Sequence, residues 1–282
     1  MENTAGTGKS TVRGVATLMA SSLSNQLGAA SGSLAFPAIG PLGVVAVRQL
    51  IAAAVLLPIA RPRFRSFTRG QLWPVCLLAV VVGTMNLGLY SAIERIGLGL
   101  AVTLEFLGPL SLALLGARSK AGIACALAAA AGVVGITQPG PSTDYLGIGF
   151  GLVGAASWAA YILLNRTIGR RIPGIQGTAA AMAVSAAAFL PVAVVILFSR
   201  PVSWFAILCA VAAGVLASAV PYIADLLALR RVPAALFGML MSVNPVFAAL
   251  IGLALGQALN AGQWAGILLI VGANATVLRL EG

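Results

Sequence analysis

The sequence predicts an all-α integral membrane protein of ten transmembrane helices, arranged as two inverted five-helix repeats. Three observations carry that prediction. Of 282 residues, 60% are hydrophobic and 8% charged, with mean hydropathy +1.03; a soluble domain carries about 25% charged residues. The apolar residues fall into ten runs, each long enough to cross a bilayer. The chain also matches itself at a fixed offset, which puts the same proline-broken helix in each half.

Taken in order, residues 1–14 are polar and read as a disordered cytosolic tail. The tail contains GTGKST, from Gly6 to Thr11. A phosphate-binding loop would need a glycine where Asn3 stands, a strand before it and a nucleotide-binding helix after it. An apolar span follows instead, so the match is a coincidence of a polar tail. Lys9 and Arg13 resemble the start of a secretory signal, but Ser21, Ser22, Ser24, Asn25 and Gln26 interrupt the apolar stretch. A retained, polar-faced helix over 15–36 is the better reading. Further spans are expected near 40–60, 72–92, 97–117, 121–138, 146–165, 174–198, 204–227, 234–256 and 261–280. The loops are short, so the organisation is a tail (1–14), a first repeat (15–140) and a second repeat (141–282).

Lysine and arginine set the orientation. With the N-terminus in the cytosol, fourteen of the 17 basic residues face inward, Arg95 and Arg200 face outward, and Arg48 lies within a span. Both termini are therefore expected in the cytosol, with the protein in the inner or plasma membrane. The same distribution explains the net charge of +11 without nucleic acid, because no basic stripe with interleaved aromatics exists.

Shifting the chain by 136 residues lays 92–116 over 228–252 with eight identities in twenty-five positions. The matched pairs Arg95/Arg231 and Pro109/Pro245 carry most of the weight, since Ala and Leu are common here. The fourth span then matches the ninth. Halves of five spans, an odd number, sit in opposite orientations, as in inverted-repeat transporters.

The fourth span holds the residue of greatest interest. In the nineteen residues 98–116 the only ionisable side chain is Glu105, near the middle of roughly 29 Å of helix. A carboxylate there costs at least ~2.5–3.5 kcal/mol unless compensated, and is read as functional. Pro109 follows Gly108 one turn on and frees a backbone carbonyl, a break tolerated at that depth only against protein or a watery cavity. Arg48 lies at similar depth in the second span, roughly 12 Å from the outer face. The two charges are expected to pair or to face each other across the cavity; the alternative is an ion pair that only orders the bundle.

Asp225, near the cytosolic end of the eighth span, reads as an interfacial, hydrated residue. Tyr222 shares its helix face, as Asn86 shares one with Tyr90, and Trp158 with Tyr161. Trp158 is too deep for the interfacial belt expected of Trp73, Tyr145, Trp204 and Trp264, so it packs in the core or lines the cavity. Asn244 precedes Pro245 on the ninth span, where its amide can bond within the bundle or touch a substrate. The pairs Gly28/Gly32, Gly147/Gly151, Gly252/Gly256 and Gly262/Gly266 indicate close helix packing.

Several chemistries are excluded or disfavoured. The absence of histidine removes His triads, metal sites and relays. The six acids are scattered, with no DxxD-type metal cluster, and Cys76, Cys125 and Cys209 sit singly as small core residues. No metal and no cofactor are expected, and no enzyme.

At this point the chain resembles the EamA branch of the drug/metabolite transporter superfamily, with the closer likeness to its threonine/homoserine exporters. The resemblance rests on Gln26, Gly28, Phe36–Pro37 and Arg48, then Met85–Asn86 and Tyr90, and the run AVTLEFLGPLSLALLGAR over 101–118. It continues through SWAAYILLNR in the sixth span, Pro221–Tyr222, Ala228–Leu229 and FGMLMS over 237–242. It implies secondary active export of small polar metabolites, amino acids foremost, by alternating access with proton antiport. Two departures stand out: Asn244–Pro245 where the family usually has Glu-Pro, and Gly256–Gln257 where a glutamate often follows. Glu105 remains as carrier of a proton or of the substrate's ammonium, with Arg48 balancing charge or binding a carboxylate. Gln26, Asn86, Tyr90, Trp158, Tyr161, Tyr222, Asp225 and Asn244 complete the candidate site. Efflux of drugs or other metabolites is the alternative within transport; a membrane scaffold or an intramembrane enzyme is the alternative outside it. The partners expected are a small-molecule substrate and the lipid bilayer, with a homodimer left open.

Overall fold

The computed structural model describes residues 4–117, 119–199, 202–254 and 258–281. Among them it contains helices and no strand. The helices are α1 (Thr4–Ser33), α2 (Phe36–Ala60), α3 (Arg69–Gly116), α4 (Lys120–Thr137), α5 (Tyr145–Arg171) and α6 (Gln176–Ser199). After them come α7 (Trp204–Gly214), α8 (Val220–Leu229), α9 (Ala234–Leu240), α10 (Val243–Ala254) and α11 (Ala261–Glu281). Among the described residues, eight segments are long and apolar enough to cross a membrane, and Leu100–Gly116 is a shorter apolar helix. The all-α membrane class is therefore right.

Four segments depart from the expected boundaries. The tail is helical from Thr4, not disordered, and it docks: a methyl on Gly14 would stand 2.9 Å from Val232 Cγ1, at the α8–α9 elbow. GTGKST thus lies on a helix and makes no phosphate loop. The expected spans 72–92 and 97–117 form one 48-residue α3, bent at Gly97 (φ 78°, ψ 161°), a backbone conformation open only to glycine. The expected span 204–227 runs from α7 through a wide π turn, Val215–Ala219, into α8. In the second half the chain breaks at Pro233, which caps α9, and again at Met241–Ser242. Gly97 and Pro233 stand at the same 136-residue offset as the sequence repeat.

Small residues let α3 and α5 approach closely. A methyl on Gly88 would stand 2.9 Å from the Phe150 carbonyl oxygen, and one on Gly151 2.9 Å from Leu104 Cδ1. At Gly108 it would collide with the Ala155 carbonyl oxygen. Backbone cannot yield as a side-chain tip can, so Gly108→Ala is expected to cost about 1–3 kcal/mol in thermal unfolding in detergent. Gly149→Ala on α5, with nothing within 4 Å, should be neutral or slightly stabilising. Equal losses at both sites would mean that helix approach is not what Gly108 provides.

The outer surface is what a bilayer requires. Leu115, Phe198 and Leu268 are among many large apolar side chains turned outward. Trp73, Tyr145, Trp204 and Trp264 are exposed near helix ends, in keeping with an interfacial belt. Cys125 and Cys209 are buried as expected, but Cys76 is not a core residue: it faces outward on α3.

Candidate functional site

The middle of the bundle is organised by helices that cannot complete their own hydrogen bonds. The π turn Val215–Ala219 is followed by Pro221, which has no N–H to give, so carbonyls in this turn lack helical donors. Side chains from the first two helices supply them. Ser24 Oγ donates to Leu216 O at 2.7 Å, and Arg48 Nη2 to Ala217 O at 2.6 Å. The same guanidinium donates through Nε to Ser218 Oγ and through Nη1 to Tyr90 Oη, both at 3.0 Å. Tyr90 is in turn held edge-on by Phe36. Arg48 is buried and tied to neutral oxygens on three sides. Of the two expected arrangements, direct pairing with Glu105 is absent: among the described residues no ion pair joins them.

The start of α10 is similar. Pro245 cannot give Met241 O its usual helical donor, and Asn244 serves that carbonyl through both its backbone N–H and its Nδ2, each at 3.0 Å. Asn244 Oδ1 accepts from Gln26 Nε2 at 3.3 Å, joining α1 to α10. Asp225 is a correction. It is buried, not hydrated at an interface, and accepts from Ser21 Oγ at 2.7 Å and Tyr161 Oη at 2.9 Å. Tyr222 packs its ring 6.0 Å from that of Tyr161, and its buried hydroxyl has no hydrogen-bond partner among the described residues.

Glu105 differs from all of these. It is buried, and among the described residues its carboxylate makes no hydrogen bond and no ion pair. It lies beside Gly154 of α5, where a methyl would stand 3.6 Å from Glu105 Cγ and 3.9 Å from Oε1. Glycine thus leaves room next to the carboxylate, and among the described residues Glu105 is the one buried acid whose oxygens the protein has not already used. Asn86, also buried, spends its amide on Val82 O of its own helix, and Trp158 is half-buried against the core. Neither is brought into hydrogen-bond contact with the others. Gln257 lies outside the described residues, as does Gly256 of the pair Gly252/Gly256.

Sequence reasoning missed the serines that complete these networks. Ser21 and Ser24 registered only as interruptions of an apolar run, although a serine at helical spacing on an apolar face signals a buried acceptor. It also missed two fastenings at the ends of α5. Arg95 Nε meets Asp144 Oδ2 at 3.0 Å while Asp144 Oδ1 caps Gly147 N at 2.9 Å. At the other end Arg230 donates to the carbonyls of Gly169, Ile172 and Gly174. The Gly147 N–H, helped by Arg95, holds the Asp144 carboxyl below its ordinary range. A carboxyl lowered on folding adds stability above its unfolded pKa of ~3.9 and loses it as pH falls through the folded value. Asp144→Asn should therefore be less stable than wild type at pH 7, with the gap constant down to about pH 4 and closing below it. A gap that is the same at every pH would count against the ion pair and cap.

Proline-broken helices meeting at mid-bundle around an unsatisfied carboxylate, inside an apolar exterior, describe a multi-pass membrane transporter. The comparisons agree. Residues 145–279 match the model of the EamA-like transporter family. The threonine/homoserine exporter RhtA of Escherichia coli (strain K12) is 31% identical over 261 residues, 91% of this chain and 88% of that one. The RhtA exporter of Salmonella typhimurium (strain LT2) is 31% identical over 253 residues, 88% of this chain and 85% of that one. A solved crystal structure, 22% identical, superposes with TM-score 0.79 over 96% of this chain and 98% of its own, which shows the shared fold. The chain belongs to the EamA-like transporter family, within the drug/metabolite transporter superfamily. It is a membrane exporter of small metabolites, and its relatives are transporters rather than enzymes.

Proposed function

We propose that the protein exports small amino acids of the threonine/homoserine type across the inner membrane by proton antiport, with Glu105 as the exchanging group. The observation that carries this reading is the state of Glu105: buried, beside a glycine, with no hydrogen-bond or ion-pair partner among the described residues. A carboxylate so placed binds a proton or a substrate ammonium in turn, because either relieves an uncompensated charge. Arg48 and Tyr90, Gln26 and Asn244, and Tyr161, Tyr222 and Asp225 form the walls. Asn86 and Trp158 complete them. The named relatives are threonine/homoserine exporters, which supports the substrate class.

On this reading the chain has ten spans in two inverted halves, 15–140 and 141–282, with both termini cytosolic. α1 and Leu100–Gly116 join the eight long apolar segments. The helix contacts support the pseudo-symmetry. α1 packs on α7–α8 as α5 packs on the first arm of α3, and α2 meets α6, α4 meets α11, and the second arm of α3 meets α9. Exchanging the halves leaves that set unchanged, which supports an axis running between the Glu105 helix and its partner. The test is uptake of labelled threonine into inside-out vesicles, with and without an imposed proton gradient. Gradient-dependent uptake is expected; a well-expressed protein that moves no amino acid would overturn the substrate assignment.

A further inference from the structure

We infer that the bundle carries a phosphate-binding cleft, filled by the headgroup of an anionic phospholipid, where α2 ends and α3 begins. A cavity of about 650 Å³ opens there, lined by Arg61 and Arg63 on one side and by Gln71, Ile172 and Gln176 on the other. That is the volume of a small-molecule site.

Its electrostatics are one-sided. Residues 61–69 hold four arginines and no acid. None of the four has a carboxylate partner among the described residues, whose recorded ion pair, Arg95–Asp144, lies at the far end of α5. Arg61 uses only Nε, on Pro58 O at 3.3 Å, and Arg63 donates no side-chain bond. Arg61 Nη1 and Nη2 and the whole Arg63 guanidinium, two residues apart, thus present forked donors, the geometry that grips phosphate oxygens bidentately. Gln176 opens α6, whose first N–H groups lack helical acceptors and favour an anion.

The surroundings say that the phosphate comes on a lipid. The cleft sits at the ends of two membrane-length segments, Phe36–Ala60 and Arg69–Gly97. Ile59, Phe64, Leu72 and Trp73 around it are exposed apolar side chains, and Trp73 is held under the Arg171 guanidinium at 5.5 Å. A headgroup seated between Arg61 and Arg63 lets its acyl chains run down along Ile59 and Leu72. The walls are already fixed. Gln71 Nε2 donates to Arg171 O and Arg171 Nη1 to Gly70 O, each at 2.9 Å, and Arg230 Nη2 donates to Ile172 O at 2.8 Å. A bound headgroup therefore clamps the α2–α3 turn to the α5–α6 turn and raises stability with the logarithm of its concentration over its Kd.

The test is independent of transport. The full chain, purified in detergent and stripped of lipid, is titrated with phosphatidylglycerol, phosphatidylcholine or inorganic phosphate while Tm is followed. Phosphatidylglycerol should raise Tm and phosphatidylcholine should not. The R61Q/R63Q double variant should have the wild-type Tm without lipid and an affinity for phosphatidylglycerol weaker by about 30-fold, roughly fivefold per arginine. R63Q alone, in case the double variant folds poorly, should show the single fivefold step. R279Q, a basic residue on α11 outside the cleft, should respond as wild type. An equal response to phosphatidylcholine, an undiminished response in the Arg61 and Arg63 variants, or an equal loss in R279Q overturns the site. A shift with inorganic phosphate as large as that with the lipid assigns the cleft to a soluble anion and overturns the lipid.

Discussion

Replacing Glu105 by Gln is expected to abolish gradient-driven uptake in inside-out vesicles while leaving the protein folded and in the membrane. The structural half of that expectation rests on what Glu105 lacks. It has no hydrogen-bond or ion-pair partner among the described residues, so the substitution orphans no donor, and it removes a charge that burial disfavours. Thermal stability should be equal or higher. The functional half follows from the proposed exchange, since a carboxamide takes up neither a proton nor the charge of an ammonium group. Two roles then separate cleanly. If Glu105 grips the ammonium, substrate exchange without a gradient should also weaken, by about 10–150-fold for a lost charge-assisted bond worth ~1.5–3 kcal/mol. If it carries only the proton, exchange persists and accumulation alone is lost. Wild-type accumulation by the variant would end the assignment of coupling to Glu105.

Arg48→Ala should be the most damaging single substitution for stability. It strips donors from Ala217 O, Ser218 and Tyr90 together and opens a cavity between α2 and the π turn Val215–Ala219. Leaving a buried carbonyl without its donor costs ~1–3 kcal/mol, and the lost packing brings the total to about 2–5 kcal/mol. Arg48→Lys should recover only part of this, because an ammonium cannot reach three oxygens in a fixed plane. The measurement is thermal unfolding in detergent, with Ser218→Ala as the mild comparison. A variant Arg48→Lys as stable as wild type would mean that charge, not the fork, is what the site needs. The charge-reversal experiment with Glu105, natural for an ion pair, has no such pair to act on here.

Much of the architecture is legible in the sequence because the bilayer leaves few options. Apolar runs must become helices, and that alone fixes the all-α membrane class. What the sequence hides is where a broken helix finds its missing donors. Pro221 and Pro245 both announce carbonyls in need, but that one is served by Arg48, some 170 positions earlier, and the other by the adjacent Asn244, is decided by packing alone. Depth arithmetic put Arg48 and Glu105 at one level and so suggested a pair; it cannot say which way side chains turn, and Arg48 turns to the π turn. The same arithmetic left Asp225 near water, whereas α1 and α5 close over it with Ser21 and Tyr161. Gly97 was visible only as one glycine among many, since a positive φ leaves no mark in composition.

The reach of Arg48 across the chain has a consequence for biogenesis. Its two partners in the π turn Val215–Ala219 lie 170 and 169 residues downstream. At about 5–20 residues per second, a ribosome needs roughly 10–30 s to make that stretch. Until then the newly inserted second helix carries a lone guanidinium in hydrocarbon, with Tyr90, 42 residues on, as its earliest partner. The nascent chain is thus left chemically unfinished up to that point, marked by an unsheltered charge that the arrival of the π turn removes.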